Sequence, residues 1–309
     1  MSKLVDFENQ AGIARITCGW KKPHLPLDFV RRYWRDVHSP AISRRAGIYE
    51  YRHSQYDDVR TDVFPLVAGV NYSCNPAQQL MWLSDVRYRD QAGLDVFGTS
   101  PDAEVKGHLL GDIDLLVDQS STYKAVDANA RTLVDTTGNP TPQGLAAPAS
   151  FSVFFRQRDS EAALHTCVAG LATRWAAAPG VLRVRVHLFE APDMEAEKKA
   201  GYPIKTHAKE LQYQAWIDLV LADESVAKTL LTAADGVEYA EAIRDIHAYP
   251  VVNLFTFVYG GKPTLVGLRG FGAYEAITKF NAANQMQPSL LEWMYGPVAE
   301  GGPVKPEVA

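Results

Sequence analysis

Between Ala14 and Trp20 every second residue is apolar, so Ala14, Ile16, Cys18 and Trp20 share one face of a strand. The period then lengthens: Leu27, Val30, Trp34, Val37 and Ala41 recur at helical spacing between Pro26 and Gly47, with Asp28 in the first turn and Gly47 as a stop. Alternation returns over Ile48 to Tyr56. A turn-rich stretch, 57–77, holds Pro65, Gly69 and Asn75-Pro76, and a third strand follows over Gln79 to Arg87. Ser100-Pro101-Asp102 opens a second helix that runs to Asp118, and Thr122 to Asp127 reads as a short fourth strand.

Gly138 to Pro148, rich in Pro and Gly, is the clearest linker, and after it the series restarts. Phe151 to Arg156 predicts a strand and Glu161 to Ala178 a helix stopped by Pro179-Gly180. Over Val181 to Phe189, Leu182, Val184, Val186 and Leu188 lie on one face and Arg183, Arg185 and His187 on the other. A strand over Leu211 to Leu221, a helix over Glu224 to His247 and a strand over Val251 to Tyr259 complete the set, followed by a Gly260-Gly261 turn. Ala273 to Gln285, with Ile277 and Phe280, predicts one more helix, and the aromatic tail Leu290 to Tyr295 is expected to pack on the body or on another subunit.

The order β-α-β-β-α-β, read twice, is the ferredoxin-like split motif. Its antiparallel sheet carries both helices on one face, so the other face needs cover. The expected fold class is therefore α+β: two ferredoxin-like repeats with sheets packed face to face as an α/β-barrel, plus a C-terminal helical tail. The expected divisions are 1–137 for the first repeat, 138–149 for the linker, 150–265 for the second repeat and 266–309 for the helix and tail.

Composition narrows the function. A net charge of −5 and a pI near 5.9 leave no basic field for nucleic acid or an anionic membrane. The apolar stretches fall short of the roughly 20 residues a spanning helix needs. The N-terminal sequence lacks a signal-like apolar run, and Cys18, Cys74 and Cys167 form no CxxC pair, so a reduced, cytoplasmic setting is expected. GxGxxG after a strand, GxxxxGK[ST], HExxH and GxSxG are absent.

Phe29-Val-Arg-Arg-Tyr33-Trp34-Arg-Asp-Val-His38-Ser-Pro40 resembles the signature helix of EthD-like proteins, in the dimeric α/β-barrel superfamily, and Ser100-Pro101 through Asp112-Ile-Asp114 looks like their second-helix region. The likeness covers residues 12–130; the second half shares only topology. It implies a barrel of two four-stranded sheets, usually in a dimer and here within one chain, which leaves a homodimer open. Relatives include cofactor-free cyclases, dehydratases and decarboxylases, small monooxygenases and haem-binding branches.

Candidate chemistry gathers on this half. His38 lies four residues after Trp34, on the same side of the helix and near its C-terminal end, where the dipole favours an imidazolium. Tyr49, Tyr51 and His53 fall on one face of the second strand, apolar in body with hydrogen-bonding tips. Trp82, with Met81, adds wall, and His108 on the second helix is expected to look into the same space. These residues assign catalysis to His38, His53 and Tyr51, and substrate binding to Trp34, Tyr49, Trp82 and His108, with no metal and no cofactor. His187 with Arg183 and Arg185 is expected to pair with acids across the stacked sheets, and His247 is the candidate axial ligand for haem. The main expectation is a lyase, dehydratase or cyclase using histidine acid–base chemistry on a small aromatic or polyketide-like substrate. The alternatives are a haem- or oxygen-dependent oxidoreductase and a non-catalytic carrier of an aromatic ligand.

Overall fold

The computed structural model describes residues 3–199, 201–202, 205–231 and 236–296. The strands are β1 (Ile13–Lys21), β2 (Glu50–Tyr56), β3 (Trp82–Tyr88), β4 (Val117–Val126), β5 (Ala130–Asp135), β6 (Gln143–Leu145), β7 (Ser150–Gln157), β8 (Val181–Leu188), β9 (Ala215–Leu221), β10 (Ile243–Tyr259) and β11 (Lys262–Pro263). The α-helices are α1 (Lys3–Glu8), α2 (Leu27–Tyr33), α3 (Ser39–Ile42), α4 (Gln91–Thr99), α5 (Ala103–Leu116), α6 (Glu161–Ala177), α7 (Met194–Lys199), α8 (Ala227–Leu230), α9 (Gly236–Ala242), α10 (Leu265–Arg269), α11 (Phe271–Lys279) and α12 (Pro288–Tyr295).

All the strands join one antiparallel sheet, whose main path runs β4-β1-β3-β2-β10-β7-β9-β8-β5. The order β4-β1-β3-β2 in the first half is matched by β10-β7-β9-β8 in the second. Two seams join the halves. β10 pairs with β7 along its first part and with β2 along its second. The chain leaving β4 turns through Asp127–Asn129 and pairs as β5 with β8. The sheet curls, because Arg185 on β8 reaches Glu50 on β2 and Asp85 on β3.

Period two decides which residues line the interior of the curl. Ala14, Ile16, Cys18 and Trp20 from β1 pack there with Phe154, Trp216 and Tyr249 of the second half. The rest of the interior is ionic. Glu8, delivered by α1, receives Arg52 at 2.7 Å and Arg185 at 2.8 Å, and Arg183 pairs with Asp135 and Asp218. Burial pushes the Glu8 carboxyl up, but Arg183, Arg185 and Arg52 outweigh it and hold the group well below the usual carboxylate range. Arg185 thus meets acids across the curl, Arg183 pairs with acids on the neighbouring strands β5 and β9, and His187 takes Arg87 as its partner at 2.8 Å.

Several elements differ from the sequence reading. The fourth strand begins at Val117 rather than Thr122, and β5 and α4 carry no clear period. The expected linker contributes β6, which pairs with β10. The expected helix from Glu224 to His247 is instead a 3-10 turn, α8 and α9, followed by β10; its residues 232–235 lie outside the described residues. His247 therefore sits on a strand. On α11 Ile277 is buried, but Phe280 beyond it is 86% exposed. In the tail, α12 buries Leu291 and leaves Trp293 83% exposed; the tail beyond Gly296 lies outside the described residues. Among the described residues no helix is long and apolar enough to cross a membrane.

Candidate functional site

The faces of β1 and β3 turned away from the interior meet the helices of the first half. They carry Arg15, Thr17 and Gly19 on β1, and Trp82, Ser84 and Val86 on β3. Gly19 is required by a close approach: a Cβ there would stand 2.1 Å from the Trp82 indole, which lies across the strand. Opposite, the first helix does not run regularly. α2 passes into a π turn, Trp34–His38, before α3, so the Ser39 N–H bonds the Trp34 carbonyl five residues back. Such turns recur at functional sites. Here the turn stacks the His38 ring on Trp34 at 4.0 Å, and Trp34 in turn meets Trp82 at 4.9 Å.

Between sheet and helices lies a cavity with about 70 Å³ of room for water, walled by Trp34, His38, Tyr51, Trp82, Ser84 and Thr17. The structure thus brings together four of the seven residues singled out from sequence. His38 is 5% exposed, and its Nδ1 stands 3.4 Å from the Asp112 carboxylate, which also accepts a 2.8 Å hydrogen bond from the Tyr33 hydroxyl. Burial pushes Asp112 up, but the hydrogen bonds from His38 and Tyr33 outweigh it, so its carboxyl sits below the usual range. His38 lies within a continuing helix, not at its end, so the group facing its Nδ1 is the Asp112 carboxylate rather than a helix C-terminus.

Tyr51 shares a 2.8 Å hydrogen bond with Ser39 and lies 3.4 Å from the Ser84 hydroxyl. Burial raises its pKa more than these bonds lower it, so it remains a phenol. The indole N–H groups of Trp34 and Trp82 are buried and lack hydrogen-bond partners of normal geometry, leaving two neutral donors on cavity-lining residues.

The other three residues are placed elsewhere. His53 is fully buried behind Ser84, with its Nδ1 3.4 Å from that hydroxyl, and does not line the cavity. Burial, then the charge of His38, lowers its pKa to about 3, so it stays neutral. Tyr49 precedes β2, and its hydroxyl donates to the Phe7 carbonyl at 3.0 Å, because α1 covers that end of the sheet. His108 is exposed. It lies two positions from Leu110 on α5, roughly the opposite side of a helix, and Leu110 and Ile113 face the cavity instead.

Sequence reasoning missed the second end of this cavity. Arg15 and Arg45 stand there, closed over by Glu197 of α7 and by Tyr202, both from the β8–β9 connection of the other half. Arg15 pairs with Glu197 at 2.5 Å and lies over the Tyr202 ring; Arg45 receives the Tyr202 hydroxyl within 2.9 Å of its Nη1, the guanidinium donating. The available signal was the polar face of β1, where Arg15 and Thr17 alternate with a fully apolar one. Asp112 was within a quoted motif but had no assigned partner.

The haem-binding branches of the resembled superfamily require an open axial position, and the residues present do not fit one. Both ring nitrogens of His247 are engaged, Nδ1 with the Tyr213 hydroxyl at 2.8 Å and Nε2 with the Ser73 carbonyl at 3.1 Å. Among the described residues no group of three or more His, Cys, Asp or Glu side chains could hold a metal ion.

No protein-family model and no curated protein matches the chain. In fold it is similar to a proposed monooxygenase of Fusobacterium nucleatum, at 8% identity and a TM-score of 0.46 over 82% of this chain and 97% of that one. It is also similar to an anthrone oxidase-like protein, at 10% identity and a TM-score of 0.46 over 80% and 93% of the two chains. A variant chlorite dismutase from Candidatus Nitrospira defluvii aligns at 10% identity and a TM-score of 0.38 over 81% and 93%. Likeness at this level extends to the fold alone and carries no functional argument.

Proposed function

We propose that the chain is an oxidoreductase that abstracts a proton from a small phenolic or polyketide-like aromatic and lets the resulting anion react with dioxygen. The observation that carries this reading is His38, backed by Asp112 and packed against Trp34, in the wall of a cavity that Trp34, Trp82 and Tyr51 also line. His38 is the base, Asp112 orients its ring, and the aromatic walls take the substrate's body. Neutral donors from Trp34, Trp82 and Tyr51 hold the anion. A carbon that loses a proton here can give its electrons to dioxygen, gaining a carbonyl oxygen while water leaves.

A dehydratase or lyase needs a separate acid facing the substrate. The expected partner, His53, is neutral and outside the cavity, so the geometry favours the oxygen-dependent reading over the lyase. The matching strand orders also support reading the two halves as ferredoxin-like repeats, 1–137 and 150–265, of which the first carries the site. The test is oxygen uptake with hydroxylated aromatic probes, comparing the wild type with His38→Gln. His38-dependent uptake is expected; turnover of the same probes under nitrogen, with loss of water, would return the reading to a dehydratase.

A further inference from the structure

The cavity has two chemically different ends. Gly19 pairs with Trp82 and Arg15 with Val86, so the aromatic and arginine ends lie four residues apart along β1, about 13 Å at the usual strand rise. The first helix runs the same way, from Trp34 past His38 to Ile42 and then Arg45. Two guanidinium groups meet at the second end. Among the described residues Glu197 is the carboxylate paired with Arg15, and none is paired with Arg45, which is 4% exposed. Its other hydrogen bonds go to the Ser100 and Phe97 carbonyls. That end therefore carries two cations, Arg45 buried and Arg15 half-buried, against one anion, and the anion belongs to a six-residue helix of the other half.

Resting on the proton-abstraction reading above, we propose that this arginine end is a subsite for an acidic group on the substrate. The ring system lies toward Trp34 and Trp82, past His38. A substrate carboxylate takes the place of the Glu197 carboxylate on Arg15, within reach of Arg45. Glu197 is thus a placeholder that satisfies Arg15 while the subsite is empty, and its release with Tyr202 opens the cavity. The substrate class is a carboxylated phenolic aromatic. A charge-assisted bond to guanidinium is stronger than a neutral one, so an anion that reaches both Arg15 and Arg45 is favoured over the Glu197 carboxylate, which pairs with Arg15 alone.

The test is calorimetric titration of the full chain with 6-hydroxy-2-naphthoate and 2-naphthol, which differ by the carboxylate. The expected result is at least about tenfold tighter binding of the naphthoate. Arg15→Met should bring the affinity ratio to about one, and Glu197→Gln should raise it, because the competing carboxylate is gone. Should Arg15→Met fail to fold, Glu197→Gln, on the partly exposed α7, decides alone. Equal affinities in the wild type, or a ratio that Glu197→Gln lowers or leaves unchanged, would overturn the carboxylate subsite while the aromatic site stands. Failure of both probes to bind would overturn both.

Discussion

In the second half α6 lies on its sheet through Leu164, Val168, Leu171 and Trp175, all 0–1% exposed. In the first half the corresponding space is a cavity, and the helix over it presents Trp34 and His38. Each half is covered by a loop from the other. Phe64, from the β2–β3 connection of the first half, stacks on Trp175 at 5.4 Å and completes an apolar core. Glu197 and Tyr202, from the β8–β9 connection of the second, close the cavity with polar groups on Arg15 and Arg45. One strand order thus supports two outcomes, and the difference lies in a handful of helix and loop residues. A filled core stabilises the body, while the other half keeps its cavity and the possibility of chemistry.

That contrast can be broken experimentally. The largest effect expected is on rate: His38→Gln should lower oxygen-dependent turnover by roughly 100- to 10,000-fold while leaving the melting temperature within a few degrees. Retained turnover would remove His38 from the reaction. The counterpart, Trp175→Ala in the second half, should cost about 3–5 kcal/mol in urea unfolding and leave turnover of the folded fraction intact. If turnover falls with it at temperatures where the protein is fully folded, the two halves are not separable in this way.

Asp112→Asn keeps the shape of the acceptor and removes its charge. Turnover should drop less than for His38→Gln, roughly tenfold to a hundredfold, because the base remains but is poorly oriented. An unchanged rate would make Asp112 a packing residue.

The smallest effect concerns stability and touches both halves. Burial, then the charge of His38, lowers His53 to about 3; burial, then Arg156, lowers His247 to about 4, both from the ordinary value of 6.5. The unfolded chain therefore takes up protons that the folded chain refuses. Their contribution is complete above pH 6.5 and is lost as pH falls toward 4, at up to about 1.4 kcal/mol per pH unit for each histidine. Urea midpoints measured at several pH values should fall less steeply in His53→Asn. Identical slopes would show that His53 is protonated in the fold.

Period two made β1, β2, β3, β7 and β8 legible, and helical spacing revealed Trp34 and His38 on one side. The second part of β10 reads as a strand over Val251 to Tyr259, but its first part reads as helix, because Asp245, His247 and Tyr249 are buried on one face and Ile246 and Ala248 on the other. A strand buried on both faces shows no clean alternation of apolar and polar residues, so period two does not reveal it. Tyr51 and Trp82 could be named as cavity wall from their strand positions. The carboxylate partners of the cavity residues could not be named, because Asp112 lies 74 residues from His38 and Glu197 lies 182 from Arg15, and such pairings exist only once the chain has folded. Tyr49 and His108 show the complementary error, since alternation and helix spacing say which face a residue takes but not what already covers it.

The long strand β10 is supplied late, yet it pairs with both β7 and β2. On the ribosome, the first half can finish three of its strand pairings and must then wait with β2 as an unpaired edge while the whole of the second half is made. β7 waits beside it for the same strand. Open edges of this kind recruit other chains. The interval between synthesis of Tyr56 and of Tyr259 is therefore when a nascent chain is most exposed to mispairing, and the arrival of one segment ends that exposure for both halves at once.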